Sequence, residues 1–342
     1  MLPGLSSRLT GAVGLLFLIT AAIAADSSAL PQDMQAVRAH GSGGPEVLRY
    51  ERAPLPGVAD DQVLIRVRAA GVNPIDWKLR ERGPRGGAGN ERILGFDAAG
   101  VIAKVGKEVQ GWRVGDEVVA LTSPAGGGAY AEYVAAFARD VARKPKNMTF
   151  EQAAGLPVAV TTVWSYLVRT VDSLEGKRLL IHGGAGGVGS VAVQIAKARG
   201  AIVIATASAR NHDYLRSIGA DETIDYTKVR FEQAARDIDI VFDTVGGETL
   251  ERSYVVPRRG GTLISIAGRL NLQQCTERGL DCPPPEGNEG AGVSLEAVRA
   301  LSEAGKFSLN VDRTFPLAQA AQAQELNRAG RTRGKIILVV GN

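Results

Sequence analysis

The sequence predicts an α/β protein in two parts, a β-rich domain followed by a doubly wound parallel sheet. Three observations carry this. Residues Ala36 to about Arg143 show the period of strands, broken by glycine turns. From about Glu151, short apolar runs alternate with helical patterns. A glycine cluster at 183–189 sits between one such run and one such helix. The 342 residues allow two domains at roughly 150 residues each. Hydrophobic residues make 45% and charged residues 22% of the chain, which excludes disordered, collagenous and polytopic membrane proteins. A net charge of +4 is too small an excess to call for nucleic acid, since phosphate tracking needs a clustered basic stripe.

The first element is an apolar run, Gly11 to Ala25, preceded by Arg8. It falls short of the roughly 18 apolar residues of a spanning helix. With Ala22-Ile23-Ala24 at its end it fits a secretory signal, expected over 1–24 and cleaved after Ala24 or Ala25. The mature chain would then be periplasmic or secreted, with no stable membrane span. An uncleaved anchor or a misassigned start is the alternative, and would leave the chain cytoplasmic.

In the β-rich part, Val63, Ile65 and Val67 alternate with Leu64, Arg66 and Arg68, the pattern of a half-buried strand. Runs at Gly100–Ala103 and Glu117–Ala120 follow, with Gly106, Gly111 and Gly115 as turns. Glu81 to Arg92 reads as a polar, glycine-rich loop at the mouth of a site. In the second part, Arg178–His182, Ile202–Thr206, Ile238–Phe242 and Thr262–Ala267 read as parallel strands. Lys335 to Val340 is a last strand with no helix after it.

His182-Gly183-Gly184-Ala185-Gly186-Gly187-Val188-Gly189 contains Gly-x-Gly-x-x-Gly at 184, 186 and 189. One glycine makes the turn, one admits a pyrophosphate to the backbone, and one lets helix and strand pack closely. The helix N-terminus beyond supplies free N–H groups to phosphates. The strand–loop–helix context makes the motif specific for a dinucleotide. After the second strand stand Thr206-Ala207-Ser208-Ala209-Arg210. No acid is present there to hold a ribose diol. Ser208 and Arg210 suit a 2′-phosphate instead, so the expected cofactor is NADPH. An Arg210 that merely opens a solvated helix is the plainer alternative.

The segment Gly176 to Gly189, with Gln194 and Lys197, resembles the signature of zeta-crystallin-like quinone oxidoreductases of the medium-chain dehydrogenase/reductase superfamily. Ala69–Trp77 and Gly95–Gly100 are similar to that family's two active-site segments. Asp243–Gly247 and Ser265–Gly268 are similar to its loops flanking the nicotinamide, with Val245 and Ala267 among them. The resemblance implies a GroES-like catalytic domain over 35–155, completed by about 312–342, and a Rossmann domain over 156–311. It implies a homodimer, and a small quinone or an enone or enal as substrate. It also marks Thr162 and Tyr226 as cofactor contacts beside Gly184, Gly186, Gly187, Val188 and Gly189, and Lys335 and Arg333 are further candidates to approach the cofactor.

Zinc dehydrogenases of the superfamily carry Cys and His-Glu where this chain has Asn73 and Phe96-Asp97. Asn and Phe are poor zinc ligands. The four-cysteine lobe is missing too, so no zinc is expected. Without that Lewis acid, reduction of an electron-poor acceptor is favoured over alcohol oxidation. The candidate catalytic residues are Asn73, Asp76, Lys78 and Tyr130, the last two as proton or hydrogen-bond donors. Lys78 stands where the family often has Tyr, and an exposed turn lysine is the plainer alternative to an oxyanion donor. His182 reads as a packing residue. If the chain is exported, Cys275 and Cys282 can form a disulfide that closes a small loop; two free surface thiols are the alternative. The leading function is a zinc-independent NADPH reductase of quinones or activated alkenes. An NADPH-binding sensor or crystallin-like module without turnover is the alternative.

Overall fold

A computed structural model of the chain describes residues 30–83, 91–123, 127–287 and 290–341. The expected signal at 1–24 and the centre of the 81–92 loop lie outside them.

The β-rich part contributes β1 (Asp33–His40), β2 (Leu48–Pro54), β3 (Gln62–Val72), β4 (Glu91–Ile93), β5 (Asp97–Val105), β6 (Glu117–Leu121), β7 (Tyr133–Phe137) and β8 (Val141–Arg143). Strands β2, β1 and β4 form a small antiparallel sheet. The centre of the larger sheet is β3. It pairs with β5 along one edge, and with β7 and later β15 along the other. Register shifts at Leu64/Ile65 and Val67/Ala69 bend it, as β-bulges do. Arg66 and Arg68 face outward as expected, but Leu64 is fully buried beside Val63 and Ile65. Glu81 and Arg82 close the helix Pro74–Arg82, and Glu91 and Arg92 belong to β4, so both ends of the segment expected as a loop over 81–92 are regular structure.

The second part contributes β9 (Arg178–His182), β10 (Ile202–Ala207), β11 (Glu222–Asp225), β12 (Ile238–Asp243) and β13 (Pro257–Ser265). They form a parallel sheet in the order β11-β10-β9-β12-β13. The reversal of order beside β9, the first strand, creates the crevice where doubly wound sheets bind ligands. Behind it lies the helix Gly189–Ala198. Its Val191, Ala192 and Ile195 share a core with Leu179, Ile181 and Val203 of the sheet and Val160 and Val163 of the helix Pro157–Val163. Each fully buried aliphatic chain there contributes about 1.5–3 kcal/mol. The free edge of β13 is partly covered. Leu263 N–H donates to Asp281 O, and Asp281 N–H donates to Gly261 O. A Cys275–Cys282 disulfide closes the loop that carries Asp281.

The chain then returns. Strand β14 (Val311–Pro316) lies parallel to β15 (Lys335–Val339), and β15 pairs antiparallel with β3 of the first part. A stretch late in the sequence is thereby set at the junction of the two sheets.

Candidate active site

The glycine loop follows β9. Gly183 has φ +66°, in the left-handed region, where glycine carries no steric cost. A Cβ on Gly184 would stand 2.8 Å from that of Ala205, and one on Gly189 only 2.2 Å from Gly183 O. These two positions must therefore be bare for strand and helix to close. At Gly186 a Cβ would meet nothing nearer than Gly183 O at 3.3 Å. Here the missing side chain leaves open space, a cradle for a ligand rather than a packing contact.

That space belongs to a groove of about 340 Å³ lined by Gly186, Ser208, Arg210, Tyr226, Val245 and Arg331, among others. Tyr226 is 59% and Val245 53% exposed at its rim. Arg210 and Arg331 also line an adjoining cavity of about 370 Å³ with Arg333 and Asp312. Arg333 is held by Asn211 Oδ1 at 2.8 Å and Arg210 O at 3.1 Å. Gly334 N–H donates to Ala185 O, which lays the segment Gly330–Lys335 along the glycine loop. This basic wall is of a kind that takes phosphate. Arg331 has no counterpart in the sequence expectations. Ala267 is exposed, its N–H on Ser265 Oγ at 3.2 Å. Its carbonyl lies 2.8 Å from where a Gly246 Cβ would stand, so these two loops are in contact.

Beneath the groove the sheet ends are fixed by buried polar groups. Asp243 accepts from the N–H groups of Val245 (2.9 Å) and Gly246 (3.0 Å) and from Ser265 Oγ (2.7 Å). His182 bridges Thr206 Oγ1 (3.2 Å) and Ser253 Oγ (3.1 Å) and packs edge-on to Phe231. Burial pushes its pKa down to about 4, so it stays neutral. It is a packing residue, although its partners are hydroxyls and not backbone groups.

The second cluster lies where β3 runs into the helix Pro74–Arg82. Asn73 Nδ2 donates to Asp97 Oδ2 at 2.8 Å, and Lys335 Nζ donates to Asn73 Oδ1 and, at 3.0 Å, to Asp97 Oδ2. Asp97 Oδ1 accepts from Val158 N–H at 2.7 Å, at the start of the helix that carries half-buried Thr162. Asp97 is fully buried, while Asn73 and Lys335 are 3% and 4% exposed. A Cβ on Gly71 would stand 2.5 Å from Asp97 Oδ2, so glycine at this position makes room for the carboxylate. The Lys335 stem passes the glycine loop, 2.9 Å from where a Gly187 Cβ would be. The lysine expected as a cofactor contact thus reaches Asn73.

Of the remaining candidates, Asp76 and Tyr130 meet each other and Lys78 stands apart. Asp76 is buried, and its Oδ2 accepts from Asn73 N–H (2.7 Å) and Tyr130 OH (2.9 Å). Desolvation pushes its pKa up to about 7. Tyr130 is itself fully buried, and its hydroxyl is committed to Asp76, so it cannot present a proton to a ligand directly. Lys78 points elsewhere: its ammonium lies 5.5 Å over the Trp77 ring. Residues two apart on a helix face away from one another, and Asp76 and Arg80 hold the buried face.

Among the described residues, no three His, Cys, Asp or Glu are grouped to hold a metal. Asn73 and Asp97, at two of the positions where zinc dehydrogenases bind theirs, are bonded to an ammonium.

The chain is similar to known proteins along most of its length. Residues 59–146 match the alcohol dehydrogenase GroES-like domain, and residues 218–338 match the family described as zinc-binding dehydrogenase. The chain is 36% identical over 331 residues to the chloroplastic NADPH-dependent alkenal/one oxidoreductase of Arabidopsis thaliana, covering 92% of this chain and 82% of the relative. It is 35% identical over 333 residues to the 2-methylene-furan-3-one reductase of Solanum lycopersicum, covering 93% and 82%. The solved quinone oxidoreductase of Coxiella burnetii superposes with a TM-score of 0.81 at 31% identity, covering 90% of this chain and all of that one. The chain therefore belongs to the quinone oxidoreductase family of the medium-chain dehydrogenase/reductase superfamily.

Proposed function

We propose that the protein is an NADPH-dependent reductase of quinones or activated alkenes that works without zinc. One observation carries the reading: the segment Gly330–Lys335 lines the basic groove with Arg331 and plants Lys335 on Asn73. Nucleotide cradle and polar cluster are built as one site. The relatives' names point to the same substrates, enals, enones and quinones.

The glycine loop suits a pyrophosphate, with Gly186 open to it and the N-terminus of the helix Gly189–Ala198 directly after it. Ser208, Arg210 and Arg331 suit an adenosine 2′-phosphate, while Tyr226 and Val245 flank the groove. NADPH, when bound, supplies the hydride. Asn73 offers an uncharged N–H to an oxygen at the reacting end. Asp76 holds the Asn73 backbone by its N–H. Metal-free action is supported by Lys335, whose cation already bonds Asn73 and Asp97. Export of the mature chain is supported by the Cys275–Cys282 bridge, a bond that persists in oxidising compartments. Intact mass of native protein tests it, and Met1 retained would overturn it.

Purified protein should oxidise NADPH in the presence of a quinone, an enal or an enone, and be indifferent to chelators. NADPH binding with no turnover on any acceptor would leave only the binding-module reading. Replacing Arg210 and Arg331 by Ala should cost about tenfold or more in NADPH affinity and little in NADH affinity, the scale of a charge-assisted hydrogen bond.

A further inference from the structure

A side-chain amide has two ends, and its surroundings decide which faces which neighbour. At Asn73 both ends are set by charge. The oxygen faces the Lys335 ammonium and the nitrogen faces the Asp97 carboxylate. Turning the amide over would put N–H against ammonium and oxygen against carboxylate, which excludes that rotamer. Asp97 is held in turn, by Val158 N–H on one oxygen and Lys335 on the other. Lys335 is held by its stem, which passes Gly155 and Gly187 so closely that a Cβ on either would crowd it at 3.1 and 2.9 Å. Both members of the Asp97–Lys335 pair are nearly or fully buried.

We propose that Lys335 and Asp97 are positioning residues that act through Asn73: they lock its amide so that the second Nδ2–H is a polarised donor for one ligand oxygen. That oxygen is either a hydroxyl of the nicotinamide ribose or the carbonyl of the acceptor. The proposal rests on the reductase reading above. An ammonium on the amide oxygen draws electron density from the nitrogen, so the remaining N–H donates more strongly than that of a free amide. The cation raises the donor strength of Asn73 without itself touching the ligand.

A double-mutant cycle between Asn73→Ala and Lys335→Met tests this, with Lys335→Met keeping the stem. Two readouts are taken on the full chain, NADPH affinity by fluorescence titration and kcat/KM for a quinone. Lys335→Met should cost about tenfold in an otherwise native chain, the scale of one hydrogen bond. In the Asn73→Ala background it should cost less than about twofold, the usual limit of additivity error. Coupling in NADPH affinity assigns the ribose oxygen, and coupling confined to kcat/KM assigns the acceptor carbonyl. Lys335→Arg, which keeps a cation, should lose less than Lys335→Met. A full loss in the Asn73→Ala background, no loss in either readout, or Lys335→Arg as impaired as Lys335→Met would each overturn the proposal. A wild-type chain that binds NADPH and reduces no acceptor would sink the reductase reading, and the affinity cycle alone would then decide.

Discussion

The two walls of the cleft bury their polar groups under opposite conditions. On the parallel-sheet wall Asp243 accepts from two backbone N–H groups and a serine, and both ring nitrogens of His182 meet a hydroxyl. On the antiparallel wall Asp76 crowds two donors onto Oδ2, while its Oδ1 has no partner among the described residues. Neighbouring Arg80 is as buried, and only its Nη2 finds carboxylate oxygens, on Glu325 and Glu81. A fully satisfied network is a rigid frame, whereas a partly satisfied one retains the cost of a buried charge. The contrast sets Asp243 and His182, paired throughout, against Asp76 and Arg80, each of which keeps a buried atom with no partner.

The largest effect should come from filling the rigid wall. Gly189→Val puts a branched side chain where even a Cβ would meet Gly183 O at 2.2 Å. Overpacking of this kind costs about 1–3 kcal/mol or more, so NADPH affinity should fall by about tenfold to a hundredfold. Fluorescence titration with a circular dichroism control reads it, and unchanged affinity would mean the wall is not rigid.

The next effect is pH dependence, and the walls should differ in sign. Asp76 has its folded pKa raised to about 7 from 3.8. Between those values the folded chain keeps a proton that the unfolded chain has lost, so stability falls as pH rises toward 7 and levels off above it. His182 has its folded pKa lowered to about 4 from 6.5. Its contribution is lost as pH falls from 6.5 toward 4. Asp76→Asn should therefore gain stability over the wild type between about pH 4 and 7, by a few kcal/mol at about 1.36 kcal/mol per pKa unit. His182→Asn should flatten the acid limb alone. Melting curves across pH check both, and identical profiles for wild type and Asp76→Asn would erase the contrast.

A smaller effect is expected at the far edge of the parallel sheet. The Cys275–Cys282 bridge closes a loop of sequence separation 7, which chain entropy values at about 2.5 kcal/mol. Reduction should lower the melting temperature by several degrees and leave NADPH affinity unchanged. A change in affinity would tie that edge to the groove. The smallest effect is at Lys78: over the Trp77 ring and away from Asn73, its replacement by Ala should change turnover by less than about twofold.

Legibility in the sequence follows distance along the chain. The glycine loop was readable because strand, turn and helix are contiguous, and each glycine does a steric task visible within a few residues. The Asn73–Asp76 link is equally local, a helix start closing on itself. The Asp97–Lys335 pair was not readable, because its members stand 238 positions apart and no spacing rule joins them. Asp97 stands out in the sequence as part of the Gly95–Gly100 segment and at a metal position, and neither points to Lys335. Tyr130 is a candidate by residue type and Lys78 by its place two after Asp76, and neither tells which way a side chain points. Reading Pro74–Arg82 as a helix would have set Lys78 aside, since Asp76 and Arg80 share its buried face. Arg331 lacks any local motif, and the return of β15 to β3 brings it to the groove.

The Asn73–Lys335 contact spans 262 positions, and this span imposes an order in time. During synthesis the glycine loop leaves the ribosome long before β15 does. Until β15 pairs with β3, the groove has no Arg331 wall and Asn73 has no cation. Contacts this remote in sequence close late in folding. The strand that completes the site is therefore among the last of the described strands to be made.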